Sequence, residues 1–142
     1  MQEIETMEII TVLDKNCIPQ MAYKNDAGLD LKARKAFLLD PLQTKLIPLG
    51  ITVNIPKDHV GDIRSRSSIS ASGLFVHLGT IDPDYKGEVH AIVTNMTLTP
   101  KRIEKYQRIA QLIVLPIYGT WRNVFSTHKA RDNKGFGSSD KV

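Results

Sequence analysis

Four short clusters in this chain set reactive or charged side chains beside turn-forming residues. Asp82-Pro83-Asp84-Tyr85 places two carboxylates and a phenol around a proline. A carboxylate can orient and deprotonate water, and a tyrosine ring can pack against a sugar. Arg64-Ser65-Arg66-Ser67-Ser68 offers guanidinium forks among hydroxyl and backbone donors, the inventory that holds phosphate oxygens. In residues 131–139, Arg131 could pair with phosphate and Phe136 could stack on a base. Gly135, Gly137, Ser138 and Ser139 could wrap backbone donors around a ligand. Ala27-Gly28-Leu29-Asp30, with Asp26 beside it, reads on its own as a turn entering a strand.

Each cluster also has a plainer reading, as an acidic turn, a basic loop or a flexible terminus. The last reading fits poorly, because Phe136 stands among glycines with no apolar neighbours in sequence. Together the clusters ask for a phosphorylated ligand that carries a ring. Two carboxylates in turns also point to Mg2+, which prefers oxygen ligands and substrate phosphates. His59, His77, His90 and His128 are too widely spaced for a paired zinc motif. Cys17 is the only cysteine, which excludes an intrachain disulfide and a cysteine-based zinc cluster. There is no G-x-S-x-G elbow and no G-x-x-x-x-G-K-S/T loop.

The elements that must position these clusters are short strands. Residues 9–13 are rich in β-branched side chains, and Ile51, Val53 and Ile55 alternate with Thr52 and Asn54. Val89, Ala91 and Val93 alternate with His90, Ile92 and Thr94 after a turn-like stretch over 79–87. The run 109–115, Ile-Ala-Gln-Leu-Ile-Val-Leu, is too short for a good buried helix and is expected to be a central strand. Residues 69–72 allow one helical turn, stopped by Gly73. Trp121 and Phe125 are expected to pack. Many strands at intervals near ten residues predict an all-β chain, a jelly roll, β-sandwich or barrel.

With 142 residues and 42% apolar content, the chain is long enough for a domain with its own core. The net charge of +4 is spread without a polybasic tail or aromatic platform, so no nucleic acid is required as a partner. No apolar run has transmembrane length, and residues 1–11 lack a basic start and an apolar signal core. The expectation is an intracellular protein, cytoplasmic or nuclear, with no membrane partner.

Taken in order, the motifs resemble the trimeric all-β deoxyuridine triphosphate nucleotidohydrolases (dUTPases). Ala27-Gly28-Leu29-Asp30-Leu31, Ser65-Arg66-Ser67-Ser68, Gly79-Thr-Ile-Asp-Pro-Asp-Tyr-Lys-Gly-Glu88, Arg108-Ile-Ala-Gln-Leu112 and Arg131-Asp-Asn-Lys-Gly-Phe-Gly-Ser-Ser139 follow the family's sequence of five. The short segment between Ser67 and Asp82 and the ungapped Ile-Ala-Gln-Leu-Ile-Val-Leu-Pro look more like viral members than the common bacterial ones.

The resemblance implies a distorted jelly-roll core over 1–128 and a mobile arm over 129–142 that closes a neighbouring subunit's site in a homotrimer. It implies Mg2+-dependent hydrolysis of dUTP to dUMP and pyrophosphate, by water attack on the α-phosphorus. Asp82 would activate that water and Tyr85 would pack under the deoxyribose, leaving no room for a 2′-hydroxyl. Arg66, Ser67, Ser68 and Gln111 would hold the phosphate chain, and Asp30 would anchor the metal region through water. The backbone around Gly79 and Ile81 would read the uracil edge. Phe136 would stack on uracil, while Arg131, Gly137, Ser138 and Ser139 would close over the phosphates.

The chain departs from the family pattern at Ser65, where proline often stands, and at Tyr106-Gln107, where a glycine-containing pair is usual. Asp132, Lys134 and Asp140 replace glycines near the tail motif. Two other classes compete with a dUTP hydrolase. One is the related dCTP deaminases, which the intact Asp82 and Tyr85 arrangement disfavours. The other is a nucleotide-binding or interaction protein that keeps the fold without turnover.

Overall fold

The computed structural model describes residues 9–118 together with Trp121 and Ser126. The C-terminal cluster with Arg131, Phe136, Gly137, Ser138 and Ser139, and the arm over 129–142, lie outside the described residues.

The chain is a succession of short antiparallel strands. β1 (Ile10–Val12), β2 (Leu29–Lys32), β3 (Phe37–Leu39), β4 (Thr44–Pro48), β5 (Ile51–Val53) and β6 (His59–Ser65) come first. A single helical turn follows, α1 (Ser67–Ala71), and then β7 (Leu74–Val76), β8 (Gly79–Ile81), β9 (His90–Asn95), β10 (Lys101–Ile103) and β11 (Arg108–Pro116). A four-stranded sheet runs β2-β11-β6-β8, and a three-stranded sheet runs β4-β9-β7. Two ribbons, β1-β5 and β10-β3, complete the fold. No sheet closes on itself, and the arrangement is a jelly-roll β-sandwich.

The pleat explains which residues are inside. Val89, Ala91, Val93 and Asn95 are buried, while His90 and Ile92 face outward, as the alternating pattern predicts. The same holds for Ile51, Val53 and Ile55. With Leu31, Leu39, Ile47, Ile63, Ile103 and Ile109 they form one continuous core fed by every sheet. Asn95 is fully buried but satisfied: its amide donates to Leu39 O (3.0 Å) and Thr99 O (2.8 Å), and its oxygen accepts from Thr97 N (2.9 Å). Burial of this amide is tolerated because each polar atom has a partner.

β11 is the central strand that its apolar run predicts. It pairs with β2 on one side and β6 on the other, so Gln111 lies opposite both Asp30 and Arg64. Gly73 ends α1 at φ +91°, a conformation suited to glycine. Pro48 falls at the end of β4, an edge strand that tolerates a residue with no N–H.

Several expectations change. Residues 79–81, read as the start of a turn, form β8 and pair with β6 from Gly61↔Ile81 to Ile63↔Gly79. Three residues with one glycine carry too little pattern to announce a strand. Residues 101–103, for which local pattern predicts no strand, pair with β3 as β10. Trp121 is 72% exposed in this chain rather than packed. Among the described residues, no helix is long and apolar enough to cross a membrane.

Candidate functional site

Two clefts take up most of the residues singled out by sequence. The first, about 460 Å³, is lined by Gly28, Asp30, Arg66, Ser67, Ser68 and Gln111, with the loop carrying Tyr23 and Asp26 at its mouth. These residues are far apart in sequence and are brought together by the β2-β11-β6 ladder and the start of α1 that follows it. Asp30 is only 7% exposed. A buried carboxylate requires compensation, and two guanidinium groups supply it. Arg66 Nε lies 3.2 Å from Asp30 Oδ1, and Arg108 Nη1 lies 3.4 Å from Oδ2. Arg66 Nη1 also donates to Arg108 O at 3.2 Å.

Gln111 Nε2 donates to Ser65 O at 2.9 Å, which fixes the start of the Ser65-Arg66-Ser67 segment. A Cβ on Gly28 would press on Gln111 Oε1, so glycine lets the 27–30 turn close on this side chain without displacing it. Asp26 Oδ2 accepts from Tyr23 N at 2.8 Å and tightens the turn at the cleft mouth. The result is a polar wall with Arg66 and hydroxyls along it, formed around a carboxylate that Arg66 shares with Arg108 behind it.

The second cleft, about 430 Å³, is lined by Leu78, Gly79, Ile81, Tyr85, His90 and Ile92, among others. It lies where the chain leaves β8 and returns in β9. The Tyr85 hydroxyl donates to Glu88 O at 2.7 Å. A Cβ on Gly87 would come within 2.7 Å of the Tyr85 oxygen, so glycine makes room for the phenol to reach that carbonyl. Asp82 begins the excursion, and its carbonyl accepts from Tyr85 N at 3.1 Å. Its side chain is exposed, lines neither cleft and has no hydrogen-bond partner among the described residues.

The sequence-selected residues therefore divide. Asp30, Arg66, Ser67, Ser68 and Gln111 meet in the first cleft, while Gly79, Ile81 and Tyr85 meet in the second. The two clefts share no lining residue. Arg131, Phe136, Gly137, Ser138 and Ser139 are outside the described residues.

Sequence reasoning assigned no role to two residues that organise these clefts. Arg108 is one. Strict strand alternation would put it on the opposite face from Gln111, but the β11–β2 register shifts between Arg108 and Ala110 and lets Arg108 reach Asp30. Glu88 is the other: it pairs with Arg34 (2.9 Å) and accepts from Gly50 N (2.9 Å), partners 54 and 38 residues away in sequence.

Tyr106, a departure noted in the sequence, has φ +66°. It adopts the left-handed backbone that glycine reaches without strain. Its hydroxyl donates to Asp14 Oδ2 at 2.9 Å, tying the turn before β11 to the N-terminal segment. The Asp14 carboxyl is held below its ordinary pKa, first by the Asn16 N–H, then against some desolvation by the Tyr106 hydroxyl and the charges of Arg34 and Lys105. The Cys17 thiol is pushed up, mainly by burial, and is therefore poorly disposed to react in the folded chain.

Comparison with known proteins places these clefts in context. A family profile described as dUTPase matches residues 14–140. The deoxyuridine 5′-triphosphate nucleotidohydrolase of Wolbachia pipientis subsp. Culex pipiens (strain wPip) is 37% identical over 133 residues, covering 87% of each chain. The protein of the same name from Clostridioides difficile is 35% identical, over 89% of this chain and 92% of that one. Among solved structures, the Staphylococcus bacteriophage 80alpha dUTPase with dUPNHPP aligns with a TM-score of 0.75 at 28% identity, covering 92% of this chain and 96% of the phage protein. The bacteriophage match agrees with the viral-type features of the sequence.

Proposed function

This chain belongs to the dUTPase family, and on that premise we propose that it hydrolyses dUTP to dUMP and pyrophosphate. The observation that carries the reading is the pairing of a polar cleft, in which Arg66, Ser67, Ser68 and Gln111 offer donors beside Asp30, with a second cleft walled by Gly79, Ile81 and Tyr85. One suits a triphosphate, and the other suits a base with its sugar.

In this mechanism Arg66, Ser67, Ser68 and Gln111 bind the phosphate chain and stabilise charge as it redistributes. Tyr85 packs under the deoxyribose and excludes a 2′-hydroxyl. Backbone groups of Gly79 and Ile81 read the base edge. Asp82 accepts a proton from the water that attacks the α-phosphorus. The bond from the α-phosphorus to the bridging oxygen then breaks, and pyrophosphate leaves. Arg131, Ser138 and Ser139 close on the phosphates, and Phe136 with Gly137 covers the base.

The donor set fits a hydrated Mg2+ that arrives with the triphosphate. Asp30 is the buried carboxylate at the phosphate cleft, and its two oxygens already face arginines. Contact through water suits it better than direct ligation. Asp30 would hold the ion through water, and the bound ion would supply charge neutralisation to the triphosphate.

Separate clefts on one chain support a homotrimer in which each site draws on neighbouring subunits, with the 129–142 arm of one chain completing it. The outward face of the three-stranded sheet carries Phe75, a half-exposed apolar side chain outside both clefts and suited to burial between subunits.

The test is pyrophosphate release from dUTP, dCTP, dTTP and UTP with Mg2+, for the full chain and for a truncation before Arg131. Release from dUTP alone, much reduced by truncation, is expected. Tight dUTP binding without turnover would identify a binding protein instead, and ammonia release from dCTP would identify a deaminase.

A further inference from the structure

The excursion over 82–87 leaves the body of the fold at β8 and rejoins it at β9. Within it, the recorded bonds are local: Tyr85 N to Asp82 O (3.1 Å) and a long contact of 3.5 Å from Lys86 Nζ to Pro83 O. Lys86 Nζ also reaches Asn54 Oδ1, at 3.5 Å. These long contacts lie at the limit of hydrogen bonding.

Its return point is held very differently. The Glu88 carboxylate is mostly buried and bridges two separate parts of the chain. Oε1 pairs with Arg34 Nη1 at 2.9 Å, and Oε2 accepts from Gly50 N at 2.9 Å. Gly50 N lies between two backbone bonds, Leu49 N to Val89 O and Val89 N to Ile51 O, both 2.9 Å. The Glu88 side chain thus supplies the acceptor that the backbone ladder lacks at the chain reversal. Gly50 has no latitude there: φ is +71°, and a Cβ would lie 2.6 Å from Cys17 Sγ.

Glu88 also reaches side chains of the second cleft through its backbone. Its carbonyl oxygen accepts from the Tyr85 hydroxyl at 2.7 Å and lies 3.0 Å from His90 Nδ1, which makes Nδ1 the protonated ring nitrogen. Two side chains that wall this cleft therefore hang from one oxygen. The side chain of the same residue locks that oxygen to Gly50 and Arg34.

The geometry points to Glu88 as a positioning residue that sets Tyr85, and with it the sugar selectivity of the site, through its clamp on Gly50 and Arg34. This rests on the role given to Tyr85 above. Glu88 touches no reacting atom. It acts by fixing the carbonyl from which the phenol takes its position. Losing the clamp frees the 82–87 excursion, tilts the ring and admits a 2′-hydroxyl.

The test compares Glu88→Ala, Glu88→Gln and Arg34→Met in the full-length chain. It reads kcat/KM for dUTP and UTP, Tm, and amide hydrogen exchange at Gly50 and Tyr85. Glu88→Ala is expected to cut the preference for dUTP over UTP about tenfold, because small displacements of positioning groups carry large rate effects. Glu88→Gln, which keeps one acceptor for Gly50 N, should show a smaller loss. Arg34→Met should be the mildest. Exchange at Gly50 and Tyr85 should quicken in the same order.

A fall in Tm with unchanged selectivity and unchanged Tyr85 exchange would overturn the inference and leave Glu88 a purely structural anchor. Wild-type protein that fails to turn over dUTP would sink the proposed function, while the exchange measurement would still decide whether Glu88 holds the excursion.

Discussion

The two clefts are built on opposite principles. The first is assembled by regular structure: β11 fixes Gln111 against Asp30 and Arg64, and a buried carboxylate gathers Arg66 and Arg108. The second is walled by an excursion between β8 and β9, which carries the exposed Asp82 outside both clefts and holds the Tyr85 hydroxyl by a single carbonyl. In the proposed mechanism phosphate binding needs several donors fixed before the ligand arrives, which a ladder can provide. Water activation in that mechanism needs an accessible carboxylate, which a turn outside the core can offer. Damage to the first cleft should therefore reduce both stability and activity, whereas damage to the second should reduce activity alone.

Asp82→Asn tests this contrast with the largest expected effect. Removing the proton acceptor should lower kcat for dUTP by roughly 10²–10⁴. Because the side chain is exposed and has no partner among the described residues, thermal unfolding should be unchanged. A drop in Tm comparable to that of a core substitution would break the contrast.

Asp30→Ala should act in the opposite way. It strands two guanidinium groups that now share a carboxylate; both are partly exposed and can be solvated, so the loss is about 1–2 kcal/mol rather than that of a fully buried pair. Urea unfolding should register that loss, and pyrophosphate release should fall with it. Full stability together with lost activity would mean that the first cleft is as weakly coupled to the fold as the second.

Gly28→Ala is a finer probe of the same wall. The added methyl meets the Gln111 oxygen, the end of a flexible side chain that can move. Moving it forfeits the bond from Gln111 Nε2 to Ser65 O, worth about 1 kcal/mol. KM for dUTP should rise while kcat changes less. An unchanged KM would show that Gln111 keeps its place without the glycine.

The same contrast explains what could be read in the sequence. The strands, the central place of β11 and the choice of Arg66, Ser67 and Tyr85 as cleft residues follow from local pattern and residue type. Alternation marks a buried face within a few residues, and turn formers mark its ends. Glu88 and Arg108 escaped because their importance comes from contacts that local pattern does not encode. Arg108 reaches Asp30 only through a register shift, and the partners of Glu88 are brought in by tertiary structure. β8 escaped for a related reason: three residues acquire strand character only by pairing with β6.

Tyr106 carries the contrast to its smallest scale. It stands two residues before Arg108, in a left-handed conformation that costs an ordinary side chain about 1 kcal/mol. Its hydroxyl bond to Asp14 offsets that strain. Tyr106→Phe keeps the strain and loses the bond, so its Tm should fall by a few degrees. Tyr106→Gly loses both, so its Tm should stay close to that of the wild type. The Asp14 carboxyl is held below its ordinary value, so its stabilising contribution is present above the unfolded-state pKa near 4 and is lost as pH falls through the lower folded one. The gap between Tyr106→Phe and the wild type should therefore be full at neutral pH and shrink in acid. If Tyr106→Gly also leaves KM for dUTP unchanged, the turn serves the fold alone. A raised KM would mean that its geometry reaches Arg108, and through Asp30 the wall of the first cleft.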